Sequence, residues 1–369
     1  MEHYITQIYI EKLRHLSNSV ISLSSEKRQH LLITGKNGSG KTSLLLAIKT
    51  YLQAMNDGNK NYNDGVKLLF NNEDSLNTLY VQGDFITAFF PANRKIRIVR
   101  AQGVQDVRLS DFYKIDSDPG EILLKYMVHL KTQQAYARNE GDMANADRIQ
   151  KWFDRFEGAL QILLDDNSIK LEYDYKEYNF KIHEKGRSPF CFDELSDGYS
   201  AVIHVVSDLI LRMDKNWILS DKLSEYDIEG IVLIDELETH LHIELQKKIL
   251  PFLTKFFPRI QFIVTTHSPY ILSSISNAKA YDLERDIALE NLSVYSSEGL
   301  AESYFDADEY SEELKEKIER YEYLIKKMKP TDEERAERAK IRSELKDIPR
   351  GLSREAREKF EEIERRRRL

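Results

Sequence analysis

The chain has 369 residues, a formal net charge of −8 and one cysteine, Cys191. That length builds one large domain or two modest ones. The negative sum argues against a general nucleic-acid-coating protein, although it says nothing of local patches, and a lone cysteine excludes an internal disulfide, as suits a reducing cytosol. The N-terminus, MEHYITQIYIEKLRHL, alternates polar and apolar residues instead of building a signal peptide, and no uncharged apolar run nears the roughly 20 residues of a membrane span. The expectation is a soluble, cytoplasmic protein with no membrane partner.

Tyr4 to Ile10, Val20 to Leu23 and His30 to Thr34 read as strands, and Thr42 to Ala54 as a helix with Leu45, Ile48 and Leu52 on one face. Gly58 to Gly65 is a loop, and Thr78 to Val81 and Ile86 to Phe90 read as further strands. Ser110 to Asp166 is mostly helical in pattern, and Ile169 to Ile182 alternates like a β-ribbon. A helix follows at Asp197 to Met213. The short apolar runs Ile231 to Ile234 and Phe262 to Thr265 suit central parallel strands covered on both faces, with the helix His242 to Phe256 between them. This alternation predicts an α/β fold.

From about Phe305 the composition turns charged, with apolar residues at Leu314, Ile318, Tyr321, Ile325 and Met328 in coiled-coil spacing. Pro330 ends that helix. Thr331 and Glu334 form a capping box for a second helix carrying Ile341, Leu345 and Ile348, and a third carries Ala356, Phe360 and Ile363 before four arginines. The plain reading of this tail is a solvated helical hairpin packed on the body; a partner-docking element is the alternative. The terminal arginines suit a helix C-terminus electrostatically. The expected organisation is 1–109 and 169–304 as two parts of one head, 110–168 as a helical insert, and 305–369 as the charged tail.

Four motifs in fixed order carry the chemistry: GKNGSGKT (Gly35 to Thr42), ELSDGYSA (Glu194 to Ala201), GIVLIDELE (Gly230 to Glu238) and IVTTHSP (Ile263 to Pro269). The first sits between a strand and a helix, where glycines turn backbone N–H groups inward and the helix N-terminus faces an anion. Its candidate nucleotide contacts are Gly35, Asn37, Gly38, Ser39, Gly40, Lys41, Thr42 and Ser43. Lys41 reaches the terminal phosphates, and Thr42 is placed to hold Mg²⁺. Asp235 ends a buried apolar run, which puts a second metal-binding carboxylate at a strand's C-terminal end. Glu236 beside it is the candidate general base for the attacking water. His267, just past another buried strand, is the candidate γ-phosphate contact. Ser196, Asp197 and Gly198 open a helix and make a second anion-binding turn. The ligands implied are ATP and Mg²⁺.

These motifs resemble the ABC ATPase superfamily, in its soluble SMC/RecF-like branch that includes ATPases of the OLD, Septu and retron defence systems. The resemblance spans about residues 1 to 300. It implies an ABC head with a mixed sheet, a helical lobe carrying the signature, and a head-to-head dimer with two ATPs sandwiched between one subunit's phosphate loop and the other's Ser196, Asp197 and Gly198. LSDG, rather than the transporter form LSGGQ, fits the soluble branch. Leu237 and Ile243 stand where related ATPases commonly have prolines. A glutamine-loop equivalent is not obvious, with Gln82 or Asn93-Arg94 as weak candidates. The roughly 150 residues between phosphate loop and signature exclude long SMC-type arms. Glu298, Gly299, Asp306 and Asp308 echo the acids of an OLD-type nuclease, but the helical tail argues for loop and helix-start residues instead, so any cutting falls to a partner.

Three functions follow. The first is an ATPase that controls a separately encoded nuclease or toxin in a prokaryotic anti-phage complex. The second is a RecF-like repair ATPase on DNA ends or junctions, for which the basic run Arg94 to Arg108 is the best support and nucleic acid the partner. The third, a transporter energising subunit, is disfavoured by the signature and the large helical insert.

Overall fold

The computed structural model describes residues 2–59, 62, 64–93, 99–219, 228–289, 292–297, 299–300, 312–327, 329–346 and 354–368. Two compact units, 1–295 and 296–369, make up the chain. The first begins β1 (Ile5–Leu13), β2 (Leu16–Ser22), β3 (His30–Thr34), α1 (Lys41–Asn56), β4 (Val66–Phe70), α2 (Leu76–Gln82) and β5 (Phe85–Phe90). It continues through α3 (Leu123–Glu140), α4 (Met143–Leu164), β6 (Lys170–Asp174), β7 (Asn179–His183), β8 (Phe190–Cys191) and α5 (Asp197–Leu219). It ends with β9 (Glu229–Ile234), α6 (Ile243–Phe256), β10 (Ile260–Thr265), α7 (Pro269–Leu272), β11 (Ala278–Asp282) and β12 (Ile287–Leu289).

Six of these strands form the central sheet, in the order β12-β11-β3-β10-β9-β5, with only β12 antiparallel to its neighbour. Every residue of β3, β9 and β10 is buried, as expected of strands covered on both faces. A smaller antiparallel sheet, β2-β1-β4, lies across α1. Leu44, Leu45, Ile48 and Leu52 of α1 share one core with Ile8 and Leu68 of that sheet and with Ile33, Leu233 and Ile263 of the central one. Burial of each such side chain stabilises by about 1.5–3 kcal/mol, so α1 is held from both sides. Its N-terminus is thereby fixed at the C-terminal edge of the parallel strands, where α/β sheets bind ligands.

The helical lobe is built from α3, α4 and α5. The Trp152 ring stacks on Phe156, and its indole N–H donates to Asp214 on α5 at 3.1 Å. The expected α/β architecture is present, and so is the ribbon at 170–183, which pairs β6 with β7 antiparallel.

Several expectations need correction. Thr78 to Val81 is not a strand but part of α2, closed by Gly83 in the left-handed region. A short apolar run cannot by itself distinguish the two. The helical reading from Ser110 holds only from Leu123 onward, apart from a single 3₁₀ turn at Pro119–Ile122. Strands β4, β11 and β12 were not anticipated; β4 and β11 form by pairing with the distant β1 and β3, which local pattern does not reveal, and β12 then pairs back on β11 as a hairpin. Among the described residues no helix is long and apolar enough to cross a membrane.

The second unit holds α8 (Glu312–Lys326), α9 (Asp332–Lys346) and α10 (Arg354–Arg368). The capping box is present: Thr331 N–H donates to Glu334 at 2.8 Å, and Glu334 N–H to the Thr331 hydroxyl at 3.2 Å. Ile318, Tyr321 and Leu324 of α8 form a core with Ile341, Leu345, Phe360 and Ile363. Leu324 is wholly buried while Ile325 is only packed against the cluster, so the α8 face serves a three-helix core rather than a two-helix seam. Phe305, Met328 and Ile348 lie outside the described residues, as do Glu298, Asp306 and Asp308.

Candidate nucleotide site

The strand order brings three motifs to one edge. The phosphate loop leaves β3, Asp235 and Glu236 leave β9, and Thr265 to Ser268 leave β10, which lies between the other two. Gly35 has φ of +129°, and a Cβ there would sit 2.9 Å from the Ser39 hydroxyl and 3.2 Å from Asp282. Only glycine fits this turn. Gly40 opens α1, while Asn37 and Gly38 are exposed at the loop's crest and Ser43 is half-buried in the first helical turn. Lys41 is 6% exposed, with its ammonium donating to the carbonyls of Gly35 at 2.8 Å and Lys36 at 3.0 Å. The lysine thus closes the loop on itself from within.

Thr42 donates to Asp235 Oδ2 at 2.9 Å, so the two candidate Mg²⁺ ligands already touch. Asp235 is 3% exposed; its backbone N–H donates to the Phe90 carbonyl at 2.8 Å, and its Oδ1 accepts from the Thr265 hydroxyl at 2.6 Å. Glu236 has φ of +46°, a conformation unusual outside glycine, and its N–H donates to the Thr265 hydroxyl at 2.7 Å. His267 is held by its N–H, which donates to Glu238 Oε1 at 2.5 Å.

Burial lowers the Lys41 pKa below the ordinary lysine value, with Glu236, Glu238, Asp235 and Asp282 pulling it back up. His267 is likewise lowered, first by burial and then by the Lys41 charge, so its ring is neutral at physiological pH. Four carboxylates gather around this lysine, and Asp282 also pairs with Arg285 at 3.7 Å; an acidic setting of this kind suits a metal cation. Buried polar atoms without a protein partner also line the loop and the histidine segment: Ser39 Oγ, Glu238 Oε2 and His267 Nε2. Together with the glycine cradle, the helix N-terminus and the Thr42–Asp235 pair, they fit a magnesium nucleotide.

The signature turn is placed differently. Ser196 and Asp197 are exposed at the start of α5, while Gly198 is buried. A Cβ on Gly198 would lie 2.6 Å from the His240 carbonyl, so glycine lets the turn close against the segment that follows the base. The turn thus has a packed backbone and two exposed side chains.

The substitutions for proline are explained by this geometry. Leu237 uses the N–H that a proline lacks, donating to the Thr265 carbonyl at 3.1 Å. Ile243 is the first residue of α6, a position where proline is favoured but not required. Gln82 ends α2 before β5 begins, so it lies at the opposite edge of the sheet from Asp235, a six-residue strand of roughly 20 Å away. Asn93 follows Phe90, whose carbonyl contacts Asp235, and lies at the correct edge; Arg94 is outside the described residues. Sequence reasoning gave Thr265 no role and Glu238 only a place in the acidic motif. A polar residue closing the otherwise apolar end of β10 was the available signal for Thr265.

A protein-family model described as an AAA domain, putative AbiEii toxin of a type IV toxin–antitoxin system, matches residues 133–273, which include the signature, Asp235, Glu236 and His267. The Septu protein PtuA of Bacillus mycoides is 26% identical over 376 residues, covering 93% of this chain and 50% of that protein. The retron Vc95 probable ATPase of Vibrio cholerae is 36% identical over 154 residues, covering 39% of this chain and 29% of its own length. The chain therefore spans half the length, or less, of these curated relatives. Among solved structures, an SMC head bound to the C-winged helix domain of ScpA is 12% identical with a TM-score of 0.44, covering 79% of this chain and 100% of that one. The chain is similar to the AAA-type ATPases of Septu and retron systems, in line with its motifs.

Proposed function

We propose that this chain binds and hydrolyses ATP, dimerises head-to-head in the cytoplasm through two shared nucleotide sites, and controls a partner nuclease or toxin in an anti-phage complex. The observation that carries the ATPase reading is the convergence of Lys41, Thr42, Asp235, Glu236 and His267 at one sheet edge. The similarity to Septu and retron proteins supports the defence role.

In this reading Gly35, Asn37, Gly38, Ser39, Gly40 and Ser43 cradle the phosphates, and Lys41 supplies a fixed cation for the terminal ones. Thr42 and Asp235 would hold Mg²⁺, which when bound neutralises charge on the phosphate oxygens. Glu236 orients a water and accepts its proton. His267, neutral and with Nε2 buried, offers a hydrogen bond to the γ-phosphate. Ser196, Asp197 and Gly198 complete the site of a second subunit, a role suited to two exposed side chains on a turn closed by a buried glycine.

For the DNA-repair reading, among the described residues of the basic run Arg100 is paired with Asp193 and Arg108 with Asp106; Arg94, Lys95 and Arg97 lie outside the described residues.

Complementation tests the shared site. Lys41→Ala and Ser196→Arg proteins, each inactive alone, are mixed and the mixed dimers isolated through two affinity tags. Each mixed dimer keeps one intact loop facing one intact signature, so partial ATPase activity is expected to return. If it does not, a photoreactive ATP analogue decides: label on the Ser196 segment of the subunit that owns the phosphate loop would overturn the trans arrangement.

A further inference from the structure

We propose that Thr265, to which no role has so far been assigned, is the positioning residue of this site, its hydroxyl setting both the metal-binding carboxylate and the base. The inference rests on the ATPase reading above and concerns how that site is held.

β10 runs parallel between β3 and β9, with Val264 level with Ile234. Thr265 therefore reaches the sheet edge beside Asp235. It is 0% exposed, and a hydroxyl so deeply buried is costly unless paired. A threonine hydroxyl has a single hydrogen to donate. The Glu236 N–H can only donate, so the Thr265 oxygen must accept there, at 2.7 Å. The hydroxyl hydrogen is thereby left for Asp235 Oδ1, at 2.6 Å. The backbone of Thr265 adds a third tie, its carbonyl accepting from Leu237 N–H at 3.1 Å. Three consecutive residues thus hang on one.

The two hydroxyl contacts do different work. Thr42 lies 2.9 Å from Asp235 Oδ2 and 3.3 Å from Oδ1, while Thr265 donates to Oδ1 at 2.6 Å. Thr42 is itself a candidate metal ligand, so the Thr265 contact is the one that does not compete with the metal. Glu236 sits at φ +46°, a strained conformation for a residue with a side chain. The bonds from Glu236 N–H and Leu237 N–H bracket that residue on both sides and hold the strain in place. Without the hydroxyl the Glu236 N–H loses this bond, and the turn is left to the contacts of Glu236 with Thr239.

Thr265→Val keeps the shape and removes the hydroxyl; Thr265→Ser keeps the hydroxyl. Calorimetry with a non-hydrolysable ATP analogue, in EDTA and in Mg²⁺, reads binding independently of turnover. For Thr265→Val we expect affinity in EDTA within about twofold of wild type, a Mg²⁺-dependent gain in affinity cut by roughly tenfold or more, and kcat down roughly ten- to hundredfold with KM little changed. Thr265→Ser should restore both within about threefold. Should the valine protein not fold, Thr265→Ala is read in the same way. A folded valine protein with wild-type Mg²⁺ gain and kcat overturns the assignment, as does a folded serine protein as impaired as valine. A wild-type chain that binds no ATP analogue fails the ATPase reading itself and this inference with it, an outcome visible before any substitution is made.

Discussion

The crevice at the end of β3, β9 and β10 and the turn at the start of α5 both carry motifs legible in sequence, yet they are finished differently. In the crevice several charged and polar side chains meet partners from the same chain: Lys41 on two carbonyls, Thr42 on Asp235, Asp235 on Thr265. At the turn, Ser196 and Asp197 face solvent and only Gly198 is packed, against His240. One region is organised before any ligand arrives. The other has its backbone packed at Gly198 and two side chains left exposed, a difference that fits the role toward a second subunit proposed above.

The contrast breaks most sharply at the base. Glu236→Gln should slow turnover on the order of 10²-fold or more while leaving ATP and Mg²⁺ binding intact, because only proton acceptance is lost. Since the turn is untouched, the protein should accumulate as an ATP-bound dimer, visible by size-exclusion chromatography with light scattering. Wild-type hydrolysis rates would assign the base to another residue.

Lys41→Ala tests the crevice one step earlier. Removing a charge-assisted contact to the terminal phosphates should weaken ATP about 10- to 150-fold by calorimetry. Here the dimer should not form on adding ATP, although the turn is again unchanged. Undiminished affinity would end the phosphate-loop assignment.

The smallest effect sharpens the turn's side of the comparison, because α5 must be held rigid in the helical lobe. Asp214 on α5 is wholly buried and its pKa is pushed up to about 7 by burial, with hydrogen bonds from Tyr126 and Trp152 opposing the shift. In the unfolded chain the carboxyl ionises near its ordinary value of 3.8, so between there and about 7 only the native state keeps the proton. The stability this contributes is complete below the lower value and is lost as pH rises through the upper one. Asp214→Asn should therefore flatten the fall in melting temperature between about pH 4 and pH 7, by the several degrees that roughly 3 kcal/mol is worth in a domain of this size. Parallel melting curves for the two proteins would show that Asp214 does not titrate in this range.

Much of the fold was legible where local pattern and burial agree. The strands β3, β9 and β10 are apolar runs because both faces are covered; their C-terminal ends were placed correctly, while β9 and β10 each begin two residues earlier than expected, at Glu229 and Ile260. The capping box at Thr331 was readable because both of its bonds join residues three apart. The 76–82 segment was misread because a short apolar run satisfies a strand and a helix equally, and the choice was made by Gly83 and the helix's packing on β5. In α8, pattern alone favoured Ile325, but a third helix made Leu324 the buried residue.

For the site, sequence by itself determined the chemistry on offer: a glycine-lined loop ending in Lys41 and Thr42, an acidic pair after a buried strand, a histidine after another, and a helix-opening turn at Ser196. Each of these is a matter of residue type and short-range order, which a chain carries before it folds. Only tertiary structure decided which of them meet. The order β3-β10-β9 sets Thr265 against Asp235 and Glu236, brings Glu238 to the backbone of His267, sends Gln82 to the wrong edge and puts Leu237's N–H to use. These contacts join residues far apart in sequence or depend on strand order, and no local spacing encodes which strand will lie next to which.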